Sequence, residues 1–570
     1  MSSPISISLP LLQTIKTYQT KWLRSDIIAG VTVAAVAVPQ AMAYAQLAGL
    51  PLVAGLYAAL IAMLLFALFT TSRFAIVGPD AAMAALTGAA VIPVAGGDPA
   101  RYYSLVSVLA VLIGIICIFA LFARLGVIAE FISRPILLGY MGGLALAVIA
   151  SQVPKLFGIT IPPEGNFFTT IWYILTNLSQ ANWPTMLFST TVLAGAILIQ
   201  RYAKKIPMSL VVLVGAIAVS FILSLEDFGI NVVGAVPTGL PLPVLPSLRI
   251  LDLQSLVIPA LMIALVSYAN TIATERSFAL HQKEDLETPQ EFFGLGVANI
   301  GSGIFGGLPV AASGARTAVN HTSKAVTQVA QLFGAITIAI VLLFLAPLLG
   351  YLPQSALAVI VILAVKGLFN YKEFKSIWHA WHTEALLAIV TLIGVTVLGI
   401  FQGLLLAILL AIINLVRKTT IPKYAVLGIA ENGAVRDMSR PPKTHGLPGM
   451  IIFRFDAPLI FINASYFRDT VNELIDSASD PVVWFLWDAE TITEVDSTAG
   501  QMLVVLMRSL KARGITFAIA RMKGPIRQTV GKSRRLSRAI SATPHFTSMG
   551  LAIEAFRESQ EKLKDEEDAK

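Results

Sequence analysis

Apolar residues dominate the chain over about 27–48, 52–70, 101–122, 135–152, 187–201, 207–224, 256–274, 328–349 and 384–417. Runs of this kind read as membrane-spanning helices, and the last is long enough for two short spans that turn near Gln402 and Gly403. Weaker stretches at about 78–95, 289–305, 314–326 and 354–367 are shorter or richer in Gly, Ala and polar residues. That is the pattern of half-helices and re-entrant segments. The sum is about twelve to fourteen spans.

Two of the weaker stretches lie beside breaks, one in each half of the apolar region. The first is V-G-P-D-A-A-M (77–83) and the second is G-G-L-P-V-A-A-S-G-A-R-T (306–317). Gly and Pro interrupt a spanning helix, and breaks at corresponding places in two halves predict a site built from half-helices that meet near mid-membrane. Helix N-termini carry partial positive charge and attract anions. Arg316 stands in the second break, where a charge is costly unless it faces a polar cavity, so its expected partner is an anion.

Composition agrees with the pattern. Of 570 residues, 56% are hydrophobic and 13% charged, against about a quarter charged in soluble domains; the mean hydropathy is +0.77. The net charge of +8 needs no nucleic-acid partner, because Lys and Arg concentrate in short loops and the C-terminal region. Arg24, Arg124, Arg134, Arg201, Lys204, Lys205, Lys366, Lys372 and Lys375 mark loops expected to face the cytoplasm, and both termini are expected there in a multi-pass protein of the cell membrane. A single cysteine, Cys117, excludes an internal disulfide and thiolate metal sites. The first apolar run continues as a full span, so no removed signal peptide is expected.

Near residue 420 the pattern changes. Strand-like runs at 450–455, 482–487 and 515–520 alternate with amphipathic stretches at 466–477 and 499–513. This predicts a small α/β domain. The expected organisation is an N-terminal segment 1–25, a transport domain 26–420, a linker 421–448 containing Arg440, Pro441, Pro442 and Lys443, an α/β domain 449–557 and a charged tail 558–570.

Several segments, taken in order, resemble the sulfate permease family of anion transporters, which includes prestin and pendrin. They are V-P-Q-A-M-A-Y-A-Q-L-A-G-L-P-L-V-A-G-L-Y (38–57), T-T-S-R-F-A-I-V-G-P-D (70–80), G-Y-M-G-G-L-A-L-A-V-I-A-S-Q (139–152), N-T-I-A-T-E-R-S-F-A (270–279) and L-P-Q-S-A-L-A-V-I-V-I-L-A-V-K-G-L-F (352–369). F-R-F-D-A-P-L-I-F-I-N-A-S-Y-F (453–467) and V-D-S-T-A-G (495–500) are similar to the STAS domain that closes such transporters. The resemblance implies a polytopic α-helical membrane protein, a seven-plus-seven inverted repeat with core and gate domains, followed by a small α/β STAS domain. It also implies an elevator motion and a homodimer.

By the same resemblance the anion lies between the N-termini of the third and tenth spans, flanked by the first and eighth. The first contributes Gln40 and Tyr44, which share a helix face. The third contributes Asp80 and the amides of Ala81 and Ala82, the eighth Asn270, and the tenth Gly314, Ala315 and Arg316. Backbone N–H donors suit a partly dehydrated anion without holding it as tightly as several fixed cations would. Each residue also has a purely structural reading. Gln40 would satisfy a carbonyl freed by Pro39, Tyr44 would be a packing or interfacial residue, Arg316 would pair with Asp80, and Asp80 would cap its half-helix.

Many relatives carry a carboxylate at the position of Asn270. An amide neither titrates nor supplies charge, so coupling to a proton or sodium ion through that position is in doubt, and Asp80 is the substitute candidate. Thr271 and Thr274 keep a polar face beside it. Glu275 and Arg276 read as an interfacial pair, and His379 and His382 with Trp378 and Trp381 as an amphipathic helix at the membrane surface. In the STAS-like tail, Asp496, Ser497 and Thr498 read first as a helix cap and second as the site where related bacterial antagonists are phosphorylated. The seven basic residues between Arg521 and Arg538 read equally as a solvated face and as a surface for anionic lipid or an acidic partner.

The function expected is secondary active transport of a small inorganic anion, sulfate first, with bicarbonate, dicarboxylate transport or anion exchange as alternatives in the same fold. A coupled proton, sodium ion or counter-anion is left open; membrane lipid is an expected partner. A nucleobase permease would need carboxylates where Asn270 and Arg316 stand. A non-transporting sensor signalling through its tail is the rival from another class. No enzyme activity, metal site, cofactor or nucleic-acid partner is expected.

Overall fold

A computed structural model describes residues 8–122, 134–160, 167–203, 207–244, 250–282, 288–439 and 444–568. Arg124, Lys204, Lys205 and the 440–443 stretch lie outside the described residues. The chain divides into two compact units, Met1–Ala411 and Ile412–Lys570.

The first unit is helical. Its first seven principal helices are α1 (Thr20–Leu47), α2 (Leu52–Phe69), α3 (Ala81–Ala95), α4 (Pro99–Phe122), α5 (Arg134–Phe157), α6 (Trp183–Tyr202) and α7 (Met208–Leu223). The second seven are α8 (Ile250–Gln282), α9 (Thr288–Ile304), α10 (Gly314–Thr322), α11 (Val329–Leu349), α12 (Gln354–Val365), α13 (His382–Leu398) and α14 (Ile400–Thr420). Among the described residues, nine helices are long and apolar enough to cross a membrane. Several of the main contacts recur when helices are exchanged for those seven places away. Helix α9 packs on α4 as α11 packs on α2, and α11 packs on α1 as α4 packs on α8. This is the contact pattern of an inverted repeat.

The turn expected near Gln402 and Gly403 falls three residues earlier. Gly399 separates α13 from α14 with φ of 104°, a conformation that any side chain would strain. Gly403 instead lies inside α14, where a Cβ would meet Val395 Cα at 2.5 Å, so it serves close packing of the two helices. The surface-helix expectation corresponds to a helix over Tyr371–Ala380, with Trp378 and Trp381 exposed at its end.

Two buried carboxylates fasten the ends of apolar helices. Asp26 of α1 accepts from the amides of Val326 and Thr327 at 2.7 and 3.2 Å and from the Thr327 hydroxyl at 2.7 Å, holding the approach to α11. Glu291 of α9 accepts from the Thr70 hydroxyl at 2.7 Å and from the Thr71 amide and hydroxyl, both at 2.6 Å, where α2 ends. Such charge-assisted bonds contribute about 1.5–3 kcal/mol each. Glu275, expected at the interface, is instead buried, within electrostatic reach of the Glu291 carboxyl group. The Arg276 side chain lies outside the described residues.

The second unit carries a mixed sheet. Residues 421–448, expected as a linker, instead hold three strands, Tyr424–Ala430, Val435–Asp437 and Thr444–His445. The first of them pairs antiparallel with Met450–Phe455, Val426 opposite Phe453. Its buried residues, Ala425, Leu427, Gly428 and Ala430, do not keep a strict alternation, so the stretch carries no clear strand period. Met450–Phe455, Trp484–Asp488, Thr516–Ala520 and His545–Phe546 then run parallel. Phe453, Phe455, Phe467, Phe485 and Trp487 form the core on one face, with edge-to-face rings such as Phe467 on Trp487 at 5.4 Å. Asp496 caps the helix Ser497–Ala512 by accepting from Ala499 N at 2.8 Å and also accepts from Phe461 N at 2.7 Å. Of the seven basic residues, Arg521 is half-buried, paired with buried Asp488 and with Glu490.

Candidate functional site

The two broken segments meet as backbone. Strand β1 (Val77–Gly78) pairs antiparallel with β2 (Ala311–Ala312), Val77 opposite Ala312 and Gly78 opposite Ala311. Each strand feeds a half-helix that begins two or three residues later, so the pairing fixes the starts of α3 and α10 relative to one another. Side chains brace the crossing from both halves. Thr317 of α10 accepts from Ile76 N at 3.1 Å, and Asn320 donates to Phe74 O at 3.0 Å. From α8, Thr271 accepts from Ala312 N at 3.1 Å, and Ser267 donates to Val310 O at 2.8 Å. Thr271 therefore holds β2 in place instead of belonging to an open polar face.

The two helix starts differ in what satisfies them. At α3, Asp80 is the N-cap and accepts from Ala82 N at 2.7 Å. The Ala82 amide, expected among the anion donors, is thus already occupied; Ala81 is buried beside it. At α10, Ser313 is the N-cap residue but makes no side-chain capping bond. Its own amide donates to Ile76 O at 3.0 Å. Gly314 and Ala315 are exposed and occupy the first turn, whose amides helix geometry leaves without an internal acceptor.

Arg316 is fully buried. Its Nη2 donates to Pro79 O at 2.7 Å, while Nε and Nη1 have no hydrogen-bond partner among the described residues. The guanidinium therefore reaches across to the other half-helix and binds a carbonyl there, not the Asp80 carboxylate. Gly78 makes room for it, since a Cβ at that position would lie 2.9 Å from Nη1. A buried cation with two unmet donors is unfavourable by several kcal/mol unless an anion or water completes it.

Tyr44 is buried on α1 within electrostatic reach of both Asp80 and Arg316. Gln40, one turn earlier, is buried with its Oε1 unpartnered. Asn270 on α8 is half-buried. It stands one turn before Thr274, whose Oγ1 is 4.0 Å from where a Cβ on Gly314 would sit. Tyr140 of α5, not among the expected site residues, has a buried hydroxyl without a partner among the described residues and lies within electrostatic reach of Asp80. Its only signal was a tyrosine among the small residues of G-Y-M-G-G.

Comparison with known proteins gives this arrangement a lineage. The sulfate permease family profile matches residues 23–391, and the STAS domain profile matches residues 441–540. A probable sulfate transporter of Mycobacterium tuberculosis is 37% identical over 550 residues, covering 96% of this chain and 98% of that protein. The chain belongs to the sulfate permease family. A chloroplastic sulfate transporter of Arabidopsis thaliana, sulfate transporter 4.1, is 30% identical over 93% of this chain and 80% of its own length. Among solved structures, SLC26A9 superposes with a TM-score of 0.88 at 21% identity, covering 98% of this chain and 94% of that one. The transmembrane domain of a cyanobacterial bicarbonate transporter, BicA, gives 0.60 at 24% identity over 69% of this chain and 97% of that one. The sulfate permease fold is thus shared over both units, each a multi-pass helical or STAS-type module.

Proposed function

We propose that this chain is a secondary active transporter of a small inorganic anion, with sulfate as the substrate. The observation that carries the reading is the start of α10, where free first-turn amides adjoin a buried arginine with two unpartnered donors. A tetrahedral oxyanion supplies several acceptor oxygens at once and neutralises the guanidinium. Gln40, Tyr44, Asp80, Ala81, Asn270, Gly314, Ala315 and Arg316 form the site, and the mycobacterial and plant relatives described as sulfate transporters support sulfate over bicarbonate. The anion would be carried by an elevator motion of the core half-helices against the gate helices, in a homodimer in the cell membrane with both termini cytoplasmic. Asp80 is the coupling candidate, because Asn270 cannot carry a proton. Uptake of radiolabelled sulfate into proteoliposomes tests this: saturable uptake should be competed by unlabelled sulfate more strongly than by bicarbonate, dicarboxylates or chloride. Saturable uptake of bicarbonate without sulfate would move the reading to the alternative, and uptake of no anion would leave the sensor.

For the soluble part, the proposed boundary moves ahead of Tyr424, because the strand Tyr424–Ala430 covers an edge of Met450–Phe455. A piece spanning 421–557 should show one cooperative unfolding transition. A piece beginning at Gly449 exposes that edge and should aggregate or unfold without cooperativity.

A further inference from the structure

Away from the crossing half-helices, a polar cavity of about 190 Å³ lies where the end of α5 meets the starts of α6 and α12. Lys155, Gly158, Thr185, Asn231, Gln354 and Ser355 line it, and among the described residues its lining contains no carboxylate. The hydroxyls of Thr185 and Ser355 are buried, with residue exposures of 4% and 2%, and neither has a hydrogen-bond partner among the described residues. Ser355 is the second residue of α12, a helix of 12 residues, so its amide belongs to the first turn that no helical carbonyl reaches. The amide before it is taken, since Gln354 N donates to Asn231 O at 2.9 Å. Gly158 keeps the cavity open. It has φ of 71°, and a Cβ there would lie 3.0 Å from Asn182 Cβ and 3.3 Å from Thr185 Oγ1.

One ammonium, two unmatched hydroxyl donors and a helix N-terminus line this space, and no described residue of the lining supplies an opposite charge. Water would satisfy the hydroxyls but leave the lysine charge uncompensated in a confined space. We propose that this cavity is a second anion site, binding one small inorganic anion through Lys155, Ser355 and Thr185. Ser151 lines both this cavity and a larger one of about 570 Å³ that runs along Ala85, Gly88 and Ile92 of α3. The second site therefore adjoins the space beside the half-helix and holds an anion next to the route to the central site. With both termini cytoplasmic as proposed above, this end of α5 is extracellular.

Equilibrium binding of radiolabelled sulfate, bicarbonate and chloride to the purified full-length protein tests the proposal, with Arg316→Ala used to remove the central site. At least one of the three anions should bind Arg316→Ala saturably at one per chain. That binding should vanish in Arg316→Ala/Lys155→Gln and weaken at least tenfold in Arg316→Ala/Ser355→Ala, a variant too small to disturb folding. Absence of saturable binding of all three anions to Arg316→Ala, or residual binding that survives Lys155→Gln, overturns the second site. Binding to the parent that falls by one per chain with Lys155→Gln but is unchanged by Arg316→Ala supports the second site and breaks the central one.

Discussion

At the start of α3 the chain supplies its own acceptor, and at the start of α10 it supplies none. Both helices follow a two-residue strand and begin beside the same antiparallel pairing. Asp80 occupies the Ala82 amide and places a carboxylate at one start, whereas Ser313 leaves the other uncapped and Arg316 follows it. The same backbone device has thus been given opposite charge in the two halves. On the function proposed above, anion binding falls to α10 and the tuning of local charge to α3. The arginine also ties the halves together, because its one satisfied donor is spent on Pro79 O of the opposite segment.

The largest effect expected is from Arg316→Ala. Losing the guanidinium should weaken anion binding by on the order of a hundredfold or more, as removal of one partner of a buried charge pair does. The protein should remain monodisperse in detergent, and binding isotherms with labelled sulfate measure the loss. Arg316→Lys should recover only part of it, since an ammonium lacks the planar fork that spans Pro79 O and a ligand. Unchanged affinity in Arg316→Ala would erase the distinction between the two starts.

Next in size is Gly78→Ala. A methyl group would press on Nη1 at 2.9 Å, displacing the guanidinium while leaving its charge in place. Affinity should fall about tenfold, the scale of a lost or misplaced hydrogen bond to a charge. Full affinity in Gly78→Ala would show that the guanidinium position does not matter.

Asp80→Asn sharpens the comparison from the other side. Asparagine still caps a helix, so the fold should persist while the charge is lost. Protonating Asp80 removes a negative charge from beside the anion, so transport by the parent should rise as pH falls. In Asp80→Asn the pH profile of initial uptake rates should be flat and anion binding retained. An unaltered profile would reduce Asp80 to a cap.

The smallest effect is expected from Thr271→Val, which removes the hydroxyl that accepts from Ala312 N but keeps the side-chain shape. The cost should be about 1–3 kcal/mol for the amide left unsatisfied, seen as a lower thermal unfolding midpoint. Sulfate affinity should change severalfold at most, because Gly314, Ala315 and Arg316 are touched only through β2.

The sequence by itself determined the membrane class, the two breaks and the change to an α/β pattern near residue 420, since these rest on local composition and periodicity. It also marked Asp80 and Arg316, because a charge inside an apolar run is conspicuous on its own. Only the tertiary structure decided which donors stay free. The Pro79 carbonyl under Arg316, the unpartnered Tyr140 hydroxyl and the burial of Glu275 depend on segments up to about 240 residues apart being brought side by side. The linker that became strands and the turn that moved to Gly399 have the same origin. A short strand is stabilised by its partner strand, and a helix end by the conformation one residue can adopt, so neither is written in the hydropathy of its own stretch.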